Sequence, residues 1–270
     1  MRNIVFLYVQ WLQREVIGRY RGSVLGLLWP ILQPAAQIAV FTLIFYDFMQ
    51  MRWPSVAQTS ASTGHVHGAV VYALNVYAGL AIFNFVAEIL GRAPVAVLSH
   101  PNLVTKVRFP LFLLPAVTVG AALIHIVVGA LTIALLAVMT GLAPAFVLLQ
   151  AMTVPLLLLP IILYGLSVAL LLSSLGVYVR DVAQMMPALA SLLMFLTPIF
   201  YPLSAVPESL RAGFSANPMT WGAECLRALF FSGNWPDLKE WSVHFVLSGM
   251  AVLFASFVFT RIQKGFADVL

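Results

Sequence analysis

The sequence of 270 residues is short of charge. Only 9% of its side chains are charged, 14 basic and 9 acidic, against 62% hydrophobic residues. A soluble domain carries about 25% charged residues, and so few cannot clothe a water-facing surface. The same shortage excludes a disordered chain, which needs low hydrophobicity and high net charge. Cysteine is nearly missing as well. A lone Cys225 allows no internal disulfide, no CxxC pair and no cysteine-based zinc site. The G-x-x-x-x-G-K-[ST] string of a phosphate-binding loop does not occur, so the chain is not expected to hydrolyse ATP by itself. The net charge of +5 is spread over several segments rather than gathered in a stripe, which argues against a nucleic-acid partner.

What the chain has instead is long apolar runs. Residues 109–179 hold no Asp, Glu, Lys or Arg, and other charge-free stretches cover 22–46, 53–87, 182–207 and 241–260. A membrane helix needs about 20 consecutive apolar residues, and a charge at its centre costs roughly 2.5–3.5 kcal/mol. The charges therefore mark water-facing turns. The fold class expected is an all-α polytopic membrane protein, one transmembrane domain over 1–270. Its six spans are 24–46, 71–90, 113–140, 145–172, 186–201 and 242–261. The longest charge-free run divides at Gly141-Leu142-Ala143-Pro144, a turn signature. Pro155 and Pro160 should kink the fourth span.

Six spans put both termini on one side. With the N-terminus inside, Arg2, Arg14, Arg19, Arg21, Arg92, Lys106, Arg108, Arg180, Arg261 and Lys264 are cytoplasmic. Arg52, Arg211, Arg227 and Lys239 lie outside. Inner loops carry the excess of Lys and Arg, so both termini are expected in the cytoplasm. Arg14, Arg19 and Arg21 interrupt any signal-peptide pattern, and the N-terminus is expected to be retained.

The connections carry further expectations. Residues 3–21 alternate apolar and polar side chains at helical spacing and read as an interfacial helix. The connection 91–110 has room for a short helix between Pro94 and Pro101, and its apolar character fits either a protein partner or packing on the bundle. Residues 202–241 are too apolar for a free loop and too interrupted for a span. They read as re-entrant outer helices. His65 and His67 lack further ligands nearby, so no metal site is expected. His125 reads as a helix-contact residue. No chain of intramembrane acids is present to relay protons. The serines lack a neighbouring base, and no catalytic residue is assigned. Aromatics at the span ends suit an interfacial belt or the faces of sugar rings along a channel.

Several strings in order resemble one family. Arg19-Tyr20-Arg21-Gly22-Ser23-Val24-Leu25-Gly26-Leu27-Leu28-Trp29-Pro30 is similar to the R-Y-x-x-S-x-L-G-x-x-W segment of polysaccharide ABC-exporter permeases. Asn102-Leu103-Val104-Thr105-Lys106-Val107-Arg108-Phe109-Pro110 resembles their N-L-[IV]-x-K-x-x-F-P loop. Leu175-Gly176-Val177-Tyr178-Val179-Arg180-Asp181-Val182 resembles their L-x-x-x-x-R-D loop. Thr197-Pro198-Ile199-Phe200-Tyr201-Pro202 and Asn217-Pro218-Met219, with Arg227 following, are similar to their fifth span and outer loop.

The resemblance implies the permease subunit of an exporter of lipid-linked polysaccharide, of O-antigen, capsule or teichoic-acid type and closest to the O-antigen type. It implies a location in the bacterial inner membrane among membrane lipids. It also implies two copies around a channel and two separate ATPase subunits, which bind the ATP and Mg while this chain holds no cofactor. Arg92, Pro94, Ser99, His100, Asn102, Lys106, Tyr178, Arg180 and Asp181 would couple to the ATPase. Arg14, Arg19, Tyr20, Arg21 and Trp29 would sit where the lipid-linked end is taken in. Tyr46, Phe48, Phe195, Phe200, Tyr201 and Trp221 would line the channel or outer gate. The alternatives are an ABC exporter of another lipid or drug and, less favoured, a membrane enzyme acting on lipid-linked sugars.

Overall fold

The computed structural model describes residues 2–21, 24–51, 53, 65–139, 141 and 143–270. Much of the first outer loop expected at 47–70, with Gly22, Ser23 and Leu142 of the strings above, lies outside the described residues. So do the side chains of Tyr20, His65 and His67.

All regular secondary structure among the described residues is helical. α1 (Arg2–Tyr20) precedes a short 3-10 turn and α2 (Trp29–Phe41), which runs on as a π-helix over Thr42–Phe48. α3 (His65–Arg92) leads through a 3-10 turn at Ala93–Val95 to α4 (Pro101–Thr105). α5 (Leu113–Met139), α6 (Pro144–Leu157), α7 (Leu159–Tyr178) and α8 (Asp181–Leu196) follow. Then come α9 (Glu208–Ser215), α10 (Pro218–Ser232), α11 (Leu238–Ile262) and α12 (Phe266–Val269).

Five helical stretches are long and apolar enough to cross a membrane: Ile31–Phe48, Gly68–Val95, Leu113–Met139, Pro144–Tyr178 and Leu238–Val269. The segment read as a fifth span at 186–201 is different. Its helix, α8, is 16 residues long, about 24 Å at 1.5 Å per residue, and stops short of the roughly 30 Å hydrocarbon core. It stops because Thr197, immediately before Pro198, is extended at φ −103°, ψ 131°, as a residue preceding proline tends to be.

The fourth stretch is two helices rather than one bent rod. Leu158 leaves helical geometry at φ −89°, ψ 6°, between Pro155 and Pro160. Each proline removes one N–H from the ladder. Trp241 of α11 donates its indole N–H to the Leu157 carbonyl at 3.2 Å, at the break itself. The 91–110 connection also differs from the reading. Residues 96–99 form turns, and the short helix begins at Pro101 rather than ending there. His100 is driven out of helical geometry (φ −130°, ψ 54°) by the following proline, and proline is pre-set for a first helical position.

α3 is the hub. All residues from Val71 to Ile82 are buried, and a helix apolar on all sides belongs inside a bundle. It packs chiefly on α5, and also on α10, α8 and α2, while α7 and α11 form a second close pair. α2 and α11 are mostly exposed within the protomer. α1 lies against α5, with the Tyr8 hydroxyl and Leu12 seated over Gly120. On its other sides Ile4, Val5, Phe6, Val9 and Ile17 are exposed.

Beyond α8 the chain doubles back through two capped helices. Asn217 caps α10, its Oδ1 accepting the Met219 N–H at 3.0 Å with Pro218 at the first position. Gly233 ends α10 at φ 68°, the left-handed conformation that a side chain disfavours. Asp237 caps α11 by accepting the Lys239 N–H.

Candidate functional site: a basic cavity beside the α3–α4 connection

The chemistry concentrates where α1 ends beside the end of α3. Glu88, one turn before Arg92, is the anchor. Its Oε1 lies 2.9 Å from Arg19 Nη2 as an ion pair and pairs closely with Arg92 Nε. Arg92 reaches back to Glu15 at 3.1 Å, and Arg19 is 3.7 Å from the same carboxylate. His125 of α5 lies 3.9 Å from Glu88 Oε2. The Arg19 side chain is only 8% exposed, so a charge at that depth needs these partners. One network thus ties α1 to α3.

Beside the network a cavity of about 670 Å³ opens, lined by Trp11, Arg14, Arg19, Arg21, Arg92 and His100 among others. Arg14 and Arg21 are exposed, and the Arg14 guanidinium lies 5.4 Å over the Trp11 ring. Trp11 also meets His100 edge-on at 5.2 Å and Phe109 at 5.4 Å. Four guanidiniums face one lining carboxylate, Glu15. Guanidinium forks match the oxygens of phosphate and carboxylate, so the cavity is chemically suited to an anionic headgroup. A second cavity of about 350 Å³ shares Trp11, Glu15, Arg92 and His100 and extends behind the 93–100 turn.

The residues expected to couple to an ATPase fall into two kinds. Arg92 and His100 line the basic cavity, and Pro94 is buried. The Ser99 hydroxyl turns back to the Val95 carbonyl at 2.9 Å. Asn102, Lys106, Arg180 and Asp181 are exposed. The two connections that carry them are in contact. Gly176 of α7 lies directly beneath Pro94, where a Cβ would collide with the Pro94 carbonyl and sit 2.9 Å from its Cα. Tyr178 donates its hydroxyl to the Ile262 carbonyl at 3.0 Å and packs on Phe266. A small core of Val97, Leu114, Val177, Phe259 and Phe266 joins both connections to the C-terminal helices.

The residues expected at the intake separate. Arg14, Arg19 and Arg21 share the basic cavity, whereas Trp29 lines a small separate one of about 40 Å³ with Asn84 and His125. The expected channel aromatics divide too. Tyr46, Phe200 and Trp221 are buried inside the protomer. Phe200 stacks on Phe45 at 4.8 Å, and Trp221 lies on His244. Such side chains present no free face to a sugar ring. Phe48 and Phe195 are exposed, and Tyr201 is half-buried with its hydroxyl on the Phe195 carbonyl at 2.6 Å.

Sequence reasoning missed the partners of the arginines. Glu15 and Glu88 went unassigned, although an acid closing an apolar span signals a paired cation. It also missed a second buried cation. Arg227, 4% exposed, donates to the backbone carbonyls of Asn75 (3.0 Å), Pro198 (2.9 Å) and Ile199 (3.3 Å) and to Glu224 (2.7 Å). It also lies 4.6 Å over Trp53. No group of three metal-ligating side chains occurs among the described residues.

An all-α bundle with five stretches long and apolar enough to cross a membrane has the build of a multi-pass membrane protein. The chain belongs to the ABC-2 type transporter family, whose pattern matches residues 7–231. Permeases of this family are transmembrane subunits without a catalytic domain and work with a separate ATPase subunit. The chain is similar to the O-antigen export system permease protein RfbA of Myxococcus xanthus, 27% identical over 97% of this chain and 94% of that protein. It is also similar to the O-antigen export system permease protein RfbA of Klebsiella pneumoniae, 20% identical over 95% of this chain and 92% of that one.

Proposed function

We propose that this chain is the permease half of an ATP-driven exporter that moves lipid-linked polysaccharide, O antigen by its relatives, out of the cytoplasm across a bacterial inner membrane. The observation that carries the reading is the basic cavity. Three arginines expected at the intake and two residues expected at the coupling loop line one space. An anionic lipid headgroup held there touches α1 and the ATPase-facing connection together.

Both termini and the 93–106 connection are cytoplasmic in this reading, as the distribution of Lys and Arg requires. α8, with the irregular 197–202 segment, makes the fifth of six crossings, and α9 and α10 dip into the outer leaflet as re-entrant helices within a single domain. Two copies enclose the channel. Their contact uses α2 and α8, whose apolar faces are exposed in the protomer. Phe48 and Phe195 then face the polymer, a weak aromatic surface suited to a sliding sugar chain. Asn102, Lys106, Arg180 and Asp181 form the ATPase-facing surface, and ATP with Mg stays on that partner.

The test is reconstitution of the chain with its ATPase in vesicles carrying lipid-linked polysaccharide. Arg14→Gln with Arg21→Gln should raise the substrate concentration for half-maximal export about tenfold, the effect of roughly 1.4 kcal/mol of lost charge-assisted hydrogen bonding. Transport by the chain without any ATPase, or wild-type export by the double variant, refutes the reading.

A further inference from the structure

At the other end of α11, some 37 Å from Ile262 at 1.5 Å per residue, lies a further cavity that the transport path above does not use. Its volume is about 560 Å³, within the range of about 300–1,000 Å³ typical of small-molecule sites. It lies between α10, the start of α11 and the segment around Leu203.

Three of its lining residues carry polar atoms without a hydrogen-bond partner among the described residues: Thr220 Oγ1, Trp221 Nε1 and His244 Nδ1. Thr220 is 1% exposed and Trp221 8%. Buried hydroxyl and indole N–H groups are ordinarily satisfied, and an unpaired one calls for a missing partner. The rings of Trp221 and His244 are stacked, 4.2 Å apart and 22° from parallel. Glu224, Asp237 and Glu240 line the same space with Lys239.

We propose that this cavity binds a neutral sugar residue on the face that the transport reading places outside. The choice of ligand follows from the mixture of groups. A cation would meet the Lys239 ammonium and the indole N–H as well as acceptors, and an anion would meet Asp237 and Glu240, with Glu224 already held by Arg227, against one ammonium. A sugar hydroxyl both donates and accepts. Its O–H groups suit the carboxylates, and its oxygens suit the indole N–H, the lysine and the threonine hydroxyl. The cavity is separate from the aromatic surface of α2 and α8. It would hold an emerging chain, or a glycan of the cell surface, after passage rather than during it.

The test uses the purified full chain in lipid nanodiscs, without ATPase or lipid carrier, so that it stands apart from the export assay. Saturation-transfer NMR is run with maltotetraose as the neutral probe and a galacturonate tetramer as the anionic one. Maltotetraose should receive saturation and the galacturonate little. Trp221→Phe, which keeps the ring and removes the N–H, and Thr220→Val should each weaken maltotetraose binding about fivefold, the worth of one hydrogen bond. Glu240→Gln, an exposed position that leaves the core alone, should raise the galacturonate signal relative to maltotetraose. An absent maltotetraose signal, a signal unchanged in both Trp221→Phe and Thr220→Val, or equal binding of the two probes overturns the proposal. Failure of the unmodified chain to export with its ATPase, with saccharide binding intact, would count against the transport reading alone.

Discussion

Replacing Arg227 with methionine should be the most damaging single change outside the basic cavity. The guanidinium joins three pieces of chain: the middle of α3 through the Asn75 carbonyl, the 198–199 turn after α8, and α10, which carries it. Methionine leaves three buried carbonyls without their donor and Glu224 without its cation. Breaking a buried charged contact of this kind costs about 3–5 kcal/mol. Folded domains retain about 5–15 kcal/mol in all, so the loss is a large share. A midpoint shift of about 2–4 °C per kcal/mol puts the drop at about 6–20 °C for the purified chain in detergent. Arg227→Lys keeps the charge but has no planar fork, and should fall about halfway. Glu224→Gln should move the midpoint little, because Glu224 is 43% exposed and exposed ion pairs contribute about 0–1 kcal/mol. If Arg227→Met lowers the midpoint no further than Glu224→Gln, the three carbonyl contacts contribute nothing and the reasoning fails.

Three further outcomes can be measured directly. Gly176→Ala forces a methyl against Pro94 and should cost about 1–3 kcal/mol; in the assembled exporter, substrate stimulation of ATP hydrolysis should fall more than basal hydrolysis, and unchanged stimulation would disprove the contact's role. Trp241→Phe removes the indole donor at the α6–α7 break and should destabilise by about 1 kcal/mol, visible as a lower unfolding midpoint. Burial, with the charges of Glu240 and Glu224 behind it, pushes the Cys225 thiol up to about 12. Maleimide should therefore label the folded chain slowly at neutral pH and the denatured chain fast, and rapid labelling of the folded chain would contradict the burial.

The apolar stretches were legible because exclusion of charge from hydrocarbon acts on every residue of a span. It located the long helices, and the glycine–proline turn signature at 141–144 located the break between α5 and α6. It did not distinguish a kink from a full interruption at Leu158, since that depends on two prolines acting together and on Trp241 arriving from α11. It placed the segment 186–201 five residues too late against the helix Asp181–Leu196, because apolar composition continues through a turn that Pro198 imposes. The basic residues of the cavity could be named from their string, but not their acidic partners. Glu88 lies 69 positions from Arg19 and Arg227 lies 152 from Asn75, and pairings at such separations are set by tertiary packing alone. The aromatics show the same limit: composition cannot tell Phe48, which is exposed, from Phe200, which is buried.

The contact of Gly176 with Pro94 has a mechanical meaning. With no side chain between them, the end of α7 and the end of α3 cannot slide past one another without a clash, and Tyr178 fastens α11 to the same block. A displacement delivered at either connection is therefore transmitted to three long helices at once. α2 and α8 both pack on α3, and so lie against that block while their outward apolar faces stay exposed.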